Sequence, residues 1–291
     1  IPPAAAAQIG AWRLPAPVPP DFTPDAVAAQ RMERARLLTQ SGLNEMAELE
    51  LRFGARSGSR PGPLAVEAAR IAHARGAVGQ GIRNIKSMTP GYLNWDLGSA
   101  PQRFWKFAFP LPFRSSLERH AGKNSLDPYL VAALIRQESE FEPRALSRAK
   151  AMGLTQIMPA TGRELSRRLG IPYPSTAVLY QPETNLQLGT FFLKRIADSL
   201  DGFWEAALAA YNAGPSRARL WLGWGEFREP AEFVEAIPFH ETRNYVQSVL
   251  RNADIYRRLY GTPAAAIPSN LGQLSERSYS SQAGGKASGT Q

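Results

Sequence analysis

Along most of the chain, apolar positions recur at intervals of three and four residues and do not alternate, a pattern that predicts helices and little strand. Thr23-Pro24-Asp25 supplies a hydroxyl N-cap, a proline in the first turn and an early acid, so a helix is predicted to start there. From that point to about residue 87 the sequence reads as helix pairs, broken at Ser41-Gly42, across 57–63 and near Gly76. Leu43, Met46, Ala47, Leu51 and Phe53 fall at helical spacing, as do Leu64, Ala65, Ala68, Ala69, Ile71 and Ala72. Helix pairs this rich in small residues predict a short helical-repeat arm, although no consensus repeat is visible. Residues 88–113 concentrate aromatics, namely Tyr92, Trp95, Phe104, Trp105, Phe107, Phe109 and Phe113, and predict a packed connector between two units. An aromatic platform for sugar is the alternative reading of that stretch.

A second helical unit follows. Asp127-Pro128 and Pro159-Ala160-Thr161 each open a helix, and further helices fit 182–199, 203–211, 215–222, 230–236 and 241–259. Gly261-Thr262-Pro263 is a stop signal. The predicted organisation is therefore all-α: a Pro/Ala-rich tail or linker (1–22), a helical arm and connector (23–113), a compact helical unit (114–261) and a Ser/Gly/Ala/Gln-rich tail expected to be disordered (262–291).

Composition narrows the chemistry. The chain has 291 residues, 44% of them apolar, enough for a substantial core or two packed units. It contains no Cys, which excludes disulfides, thiolate nucleophiles and Cys-ligated metals. His73, His120 and His240 are too far apart in sequence to show metal-ligand spacing, so neither metal nor cofactor is expected. The formal net charge of +9 favours anionic partners. Without a block of like charge, zinc-finger spacing or an RNP-type motif, a solvated basic surface is the reading, not a nucleic-acid site. No apolar run approaches the roughly 18 residues that suggest a membrane span. No signal peptide is visible in the stretch that begins at Ile1, and the missing initiator Met suggests a fragment or a mature form.

One segment repays a phase argument. Val131, Leu134 and Ile135 define the buried stripe of the helix opened by Asp127-Pro128, and a helix continuing to Glu138 puts that residue on the same stripe. Glu140 sits away from it, and Glu142 lies past the predicted helix end, just before Pro143. Burial disfavours a carboxylate and raises its pKa, which makes a general acid near neutral pH. Phase alone does not separate this from a buried Glu paired with Arg136 or Arg144. Downstream, the loop 151–159 places the amide of Gln156 among apolar residues, and Tyr211-Asn212-Ala213-Gly214 ends an apolar helix, where Asn212 could cap and Tyr211 could face a reacting group.

In this order and spacing, the motifs are specific. From about Leu117 to Gly261 the chain resembles the soluble lytic transglycosylase family, through Glu138-Ser139, Gly153-Leu154-Thr155-Gln156-Ile157-Met158-Pro159, Ala210-Tyr211-Asn212-Ala213-Gly214 and the segment 237–246 (IPFHETRNYV). The helices before it look like the end of that family's superhelical arm. Thr155 stands where the family usually has Met, and Lys150 where Gly is common. The resemblance implies a goose-type lysozyme-like fold acting on peptidoglycan glycan strands in the periplasm, without a cofactor. It implies Glu138 as the acid that cleaves the bond between N-acetylmuramic acid and N-acetylglucosamine, with the muramic 6-hydroxyl closing a 1,6-anhydro ring. Substrate contacts are implied for Ser147, Gln156, Met158, Tyr211, Asn212, Glu241 and Tyr245. The competing readings are a muramidase on the same fold, which needs a second carboxylate, and a non-catalytic wall-binding scaffold. The arm could hold a cell-wall machinery partner of unknown identity.

Overall fold

A computed structural model describes residues 21–261; the 262–291 tail, and the 1–22 segment apart from Asp21 and Phe22, lie outside the described residues. Among the described residues the chain is all-α, with thirteen α-helices and no strand beyond two isolated bridges, Leu146 with Met152 and Met152 with Ile157. It divides between Pro110 and Leu111 into two compact units.

In the first unit, α1 (Ala26–Gln40), α2 (Asn44–Arg56), α3 (Pro61–Ala74) and α4 (Val78–Met88) pack each on the next. Asp25, not Thr23, caps α1, accepting from the Ala28 amide at 2.7 Å, so the helix starts later than the Thr-Pro-Asp signal predicts. The helices approach closely because their contact faces are small: Ala28, Ala35, Ala47, Ala65, Ala68, Ala69 and Ala72 are fully buried. In α2, however, only Ala47 and Leu51 of the predicted apolar set turn inward, while Leu43, Met46 and Phe53 remain exposed. The helix carries two apolar stripes, and its neighbours cover the one that also contains Glu48 and Gly54.

The aromatic stretch is part of this unit's core. Tyr92, Phe104, Trp105 and Phe109 are buried, with α5 (Gln102–Ala108) packed on α3 and α4. Phe22 joins them, its ring 5.2 Å from that of Phe104. Rings packed edge-on or tilted on one another in a core, as Tyr92, Phe104, Trp105 and Phe109 are, do not offer their faces to a sugar. Phe113 alone of the set is exposed.

The second unit holds α6 (Arg114–Lys123), α7 (Pro128–Glu138), α8 (Pro159–Leu169), α9 (Pro182–Asp198), α10 (Trp204–Ala213), α11 (Pro215–Leu222), α12 (Pro230–Ala236) and α13 (His240–Tyr260). Its centre is α7, where every residue from Leu130 to Arg136 is buried. The longest helix, α13, lies against it antiparallel. At one end Arg257 donates to Asp127 at 2.6 and 2.8 Å, and Asp127 also caps α7 through the Tyr129 amide. At the other end Tyr245 meets Glu138. Eleven residues of α7 rise about 16 Å and twelve of α13 about 18 Å, so the two pins fix the register of the pair along its whole length.

Candidate active site

Glu138 is the last helical residue of α7, and Ser139 is the C-cap. The helix thus carries the carboxyl out of its buried body to the edge of the unit, where the side chain keeps partial exposure. The chain then turns sharply: Glu140 and Phe141 both adopt positive φ, and the Phe141 ring is buried near Tyr256. The hydrogen bond to Glu138 comes from Tyr245, whose hydroxyl donates to Oε1 at 2.5 Å. Neither Arg136 nor Arg144 shapes its charge. Burial pushes the Glu138 carboxyl up to about 7, and the Tyr245 hydrogen bond opposes that rise. Tyr211 and Tyr245 are both held well above the ordinary phenol range, first by burial and then by the charge of Glu138, which places both phenols within electrostatic reach of the acid.

The second wall is the loop 145–158. It is a knot of turns in which Met152 bridges Leu146 on one side and Ile157 on the other. Lys150 takes a left-handed φ of 70°, and its amide donates to the Ser147 carbonyl. Ser147 Oγ in turn accepts from the Ala151 amide at 2.9 Å. Gln156 Nε2 donates to the Gly153 carbonyl at 2.8 Å and the Ala145 carbonyl at 3.3 Å, which commits the nitrogen to the loop and leaves the amide oxygen as an acceptor. Met158 stands exposed at the N-cap of α8.

Asn185, on α9 and absent from every sequence motif above, holds this loop to the unit. Its Oδ1 accepts from the Thr155 amide (2.8 Å) and hydroxyl (2.7 Å), while its Nδ2 donates to the Leu179 carbonyl (2.8 Å) and the Met152 carbonyl (3.1 Å). The approach requires two glycines. A Cβ on Gly153, where φ is +78°, would sit 2.1 Å from the Leu179 carbonyl oxygen, and one on Gly189 would sit 2.3 Å from Thr155 Oγ1. Thr155 is therefore fully buried, its hydroxyl spent on Asn185 and not on a ligand. Its carbonyl accepts the hydroxyl of Tyr211 at 2.7 Å, and Ser139 Oγ ties the end of α7 to the Leu154 carbonyl at 2.8 Å. No periodicity or spacing marks Asn185; a buried amide in a helix otherwise lined by Leu, Gly and Thr is the only signal it leaves.

The remaining residues implied as substrate contacts are placed less directly. Asn212 is exposed at the end of α10 and accepts from Thr242 Oγ1 at 2.7 Å, joining α10 to the first turn of α13. Glu241, also in that first turn, is exposed and makes no hydrogen bond or ion pair among the described residues, so nothing ties it to Glu138. Among the described residues no group of His, Asp and Glu could hold a metal ion, and no helix is long and apolar enough to cross a membrane.

Against known proteins, residues 115–233 match the Transglycosylase SLT domain, and residues 236–264 match the Soluble lytic transglycosylase helical domain. The second match falls on the end of α12 and on α13, not on the arm. The chain is 38% identical over 161 residues to the soluble lytic murein transglycosylase of Salmonella typhimurium, a stretch covering 55% of this chain and 25% of that protein. It is 39% identical over 155 residues to the Escherichia coli protein of the same name, covering 53% and 24%. Among solved structures, it is similar to an inactive mutant of lytic transglycosylase Slt from Pseudomonas aeruginosa, with a TM-score of 0.68 and 30% identity over 90% of this chain and 41% of that one. The 70-kDa soluble lytic transglycosylase of Escherichia coli gives a TM-score of 0.63 at 30% identity, over 89% and 40%. These similarities take in the arm as well as the second unit. The chain spans about a quarter of the length of the curated relatives it matches.

Proposed function

We propose that this chain, with its Transglycosylase SLT domain at residues 115–233, is a peptidoglycan lytic transglycosylase that cuts between N-acetylmuramic acid and N-acetylglucosamine and leaves a 1,6-anhydro end. The observation that carries the reading is Glu138: a single carboxyl at a helix end, partly exposed, with a pKa of about 7, on whose charge no second carboxylate among the described residues acts.

Near neutral pH a large fraction of such a group is protonated. Tyr245 donates to Oε1, so the acid proton resides on Oε2, free to pass to the bridging oxygen. The glycosidic C–O bond then breaks, and the oxygen leaves with that proton on N-acetylglucosamine. Positive charge develops at the muramic anomeric carbon. Tyr211 has directed its hydroxyl hydrogen to the Thr155 carbonyl, so its oxygen offers lone pairs to a cation. Glu138, now a carboxylate stabilised by Tyr245, accepts the proton of the muramic 6-hydroxyl as that oxygen bonds to the anomeric carbon. Proton and electron pairs balance without water. The intramolecular attacker has an advantage that reaches about 10⁵–10⁸ M in effective concentration when well oriented. The two-carboxylate hydrolases use a second Asp or Glu as nucleophile or as the base for water. Glu142 is exposed and bonded to the Arg144 amide, and Glu140 lies beyond the helix end with positive φ.

The Gln156 amide oxygen, Ser147 and Met158 are assigned to the glycan groove, the oxygen as acceptor for an acetamido N–H. Glu241 and Asn212 are assigned to its far side. The substrate implies a periplasmic site of action. Mass spectrometry of digested peptidoglycan tests the reading: the products should be lighter by one water than muramidase products and should resist borohydride. Reducible N-acetylmuramic acid ends would make the protein a hydrolase.

A further inference from the structure

His120 sits in the last turn of α6 and is 2% exposed. Its Nε2 lies 2.6 Å from Oε1 of Glu183, in the first turn of α9. Arg119 reaches the same carboxylate, its Nη2 donating to both oxygens at 2.7 Å. The Ser116 hydroxyl is the first cause of a Glu183 carboxyl held below its usual range, with His120 and Arg119 next. A carboxylate only accepts, so the hydrogen of the His120 contact is on Nε2, and Nδ1 is left buried with no hydrogen-bond partner among the described residues. An acid in the first turn of a helix is ordinarily accounted for by the helix dipole. A buried ring that leaves its other nitrogen unpaired to reach that acid is not.

Asn124, the C-cap of α6, makes a second tie: its Nδ2 donates to the His120 carbonyl at 2.9 Å and to Thr190 Oγ1 on α9 at 3.1 Å. Glu183 and Thr190 are two turns apart and share one face of α9. Asn185 and Gly189 lie about 200° and about 240° round the axis from Glu183 and share the opposite face. That face holds the loop 145–158, Asn185 through Thr155 and Met152, and Gly189 through its close approach to Thr155. The two ties to α6 thus bracket the two residues that hold the loop. A slide or rotation of α9 would displace both, and with them Thr155, whose carbonyl accepts the Tyr211 hydroxyl.

We infer that Glu183 is a positioning residue for glycan cleavage: gripped by His120, it fixes the axial position and rotation of α9, and so the place of Thr155 and Tyr211 in the site. The inference rests on the proposed activity for the reaction, and on these contacts for the rest.

The test uses the whole chain, soluble glycan strands as substrate, and amide hydrogen exchange read by NMR. Glu183→Ala opens the clasp, and His120→Leu opens it independently while keeping the buried place apolar. Both should lower kcat about ten-fold and leave KM within about two-fold, since a misplacement of about 1 Å costs up to about 100-fold in rate. In both, the Thr155 amide should exchange faster while amides in the middle of α7 keep their rates. Glu183→Gln still accepts from His120 and should recover most of kcat. Arg119→Ala removes only a half-exposed ion pair and should stay near wild type. A change in KM alone, or Thr155 exchange unchanged in both clasp-opening variants, overturns the assignment. Equal acceleration at Thr155 and α7 also overturns it, reducing the clasp to general stability, as does damage from Arg119→Ala equal to that from Glu183→Ala. Exchange needs no substrate, so reducible product ends would remove the proposed chemistry and leave the clasp to be judged by Thr155.

Discussion

Replacing Glu138 with glutamine should abolish turnover and, at the same time, make the folded protein more stable in alkali. The magnitude follows from the carboxyl. Its pKa rises from an ordinary 4.5 to about 7 on folding, chiefly through burial. Between those values the folded chain holds a proton that the unfolded chain has lost. A group raised in this way costs nothing below the unfolded pKa, and the cost accumulates as pH climbs to the folded one. At about 1.4 kcal/mol per pH unit, the full penalty is about 3 kcal/mol, complete slightly above pH 7 and absent below about pH 4.5. Glutamine keeps the acceptor that Tyr245 uses but has no proton to lose. Whatever constant offset the substitution introduces, the difference between variant and wild type should widen in favour of the variant across that window. Urea denaturation of both proteins from about pH 4 to 8.5 measures it, and taking the difference cancels every other titrating group. A flat difference across the range would show that Glu138 ionises as an ordinary carboxyl, and the acid mechanism would fall with it. Such a gain on replacing Glu138 is the stability forgone to keep a buried carboxyl poised.

Tyr245→Phe removes a hydrogen bond that lowers the Glu138 pKa, so the alkaline limb of the pH–rate profile should move up by about one pH unit; a limb that stays in place or moves toward acid contradicts the assignment. Asn185→Ala takes the side-chain partner from the Leu179 carbonyl and from the Thr155 amide and leaves the Met152 carbonyl only the Ile157 amide, and should cost about 2–4 kcal/mol of stability together with most activity, read by thermal melting and a muropeptide assay. Gly189→Ala drives a methyl into Thr155 and should reduce turnover more than substrate affinity, because Thr155 anchors Tyr211; a change in KM alone would contradict that. Residues 111–261 expressed alone should give a helical circular dichroism spectrum and still cleave short glycans, since the buried aromatics up to Phe109 belong to the other unit.

Much of the second unit was legible in the sequence because its signals are local. Proline at the first turn, an aspartate cap and a three-and-four spacing act within one or two turns, and the helices predicted at 182–199, 215–222, 230–236 and 241–259 are found within a residue or so of those bounds. The inward phase of Glu138 was legible for the same reason: a helix that continues carries its stripe with it. The same logic misread α2, where Met46 and Phe53 share helical spacing with Ala47 and Leu51 yet face out. Periodicity reports that a stripe exists; which of two stripes is buried depends on the neighbour that arrives. Likewise the aromatics of 88–113 predicted packing but not to which unit they would belong.

What only the tertiary structure decided is the environment of the acid. Whether Glu138 meets an arginine or a tyrosine depends on α13, whose Tyr245 lies 107 residues away in sequence and is brought alongside by the antiparallel register that Asp127 and Arg257 enforce. Asn185 gathers Met152, Thr155 and Leu179 from three separate turns, a role set by convergence in space and not by any interval along the chain. Sequence by itself determined where most of the second unit's helices begin and end, because those are short-range energies. The protonation state of one carboxyl is a sum over burial and partners, and those exist only once distant segments have packed.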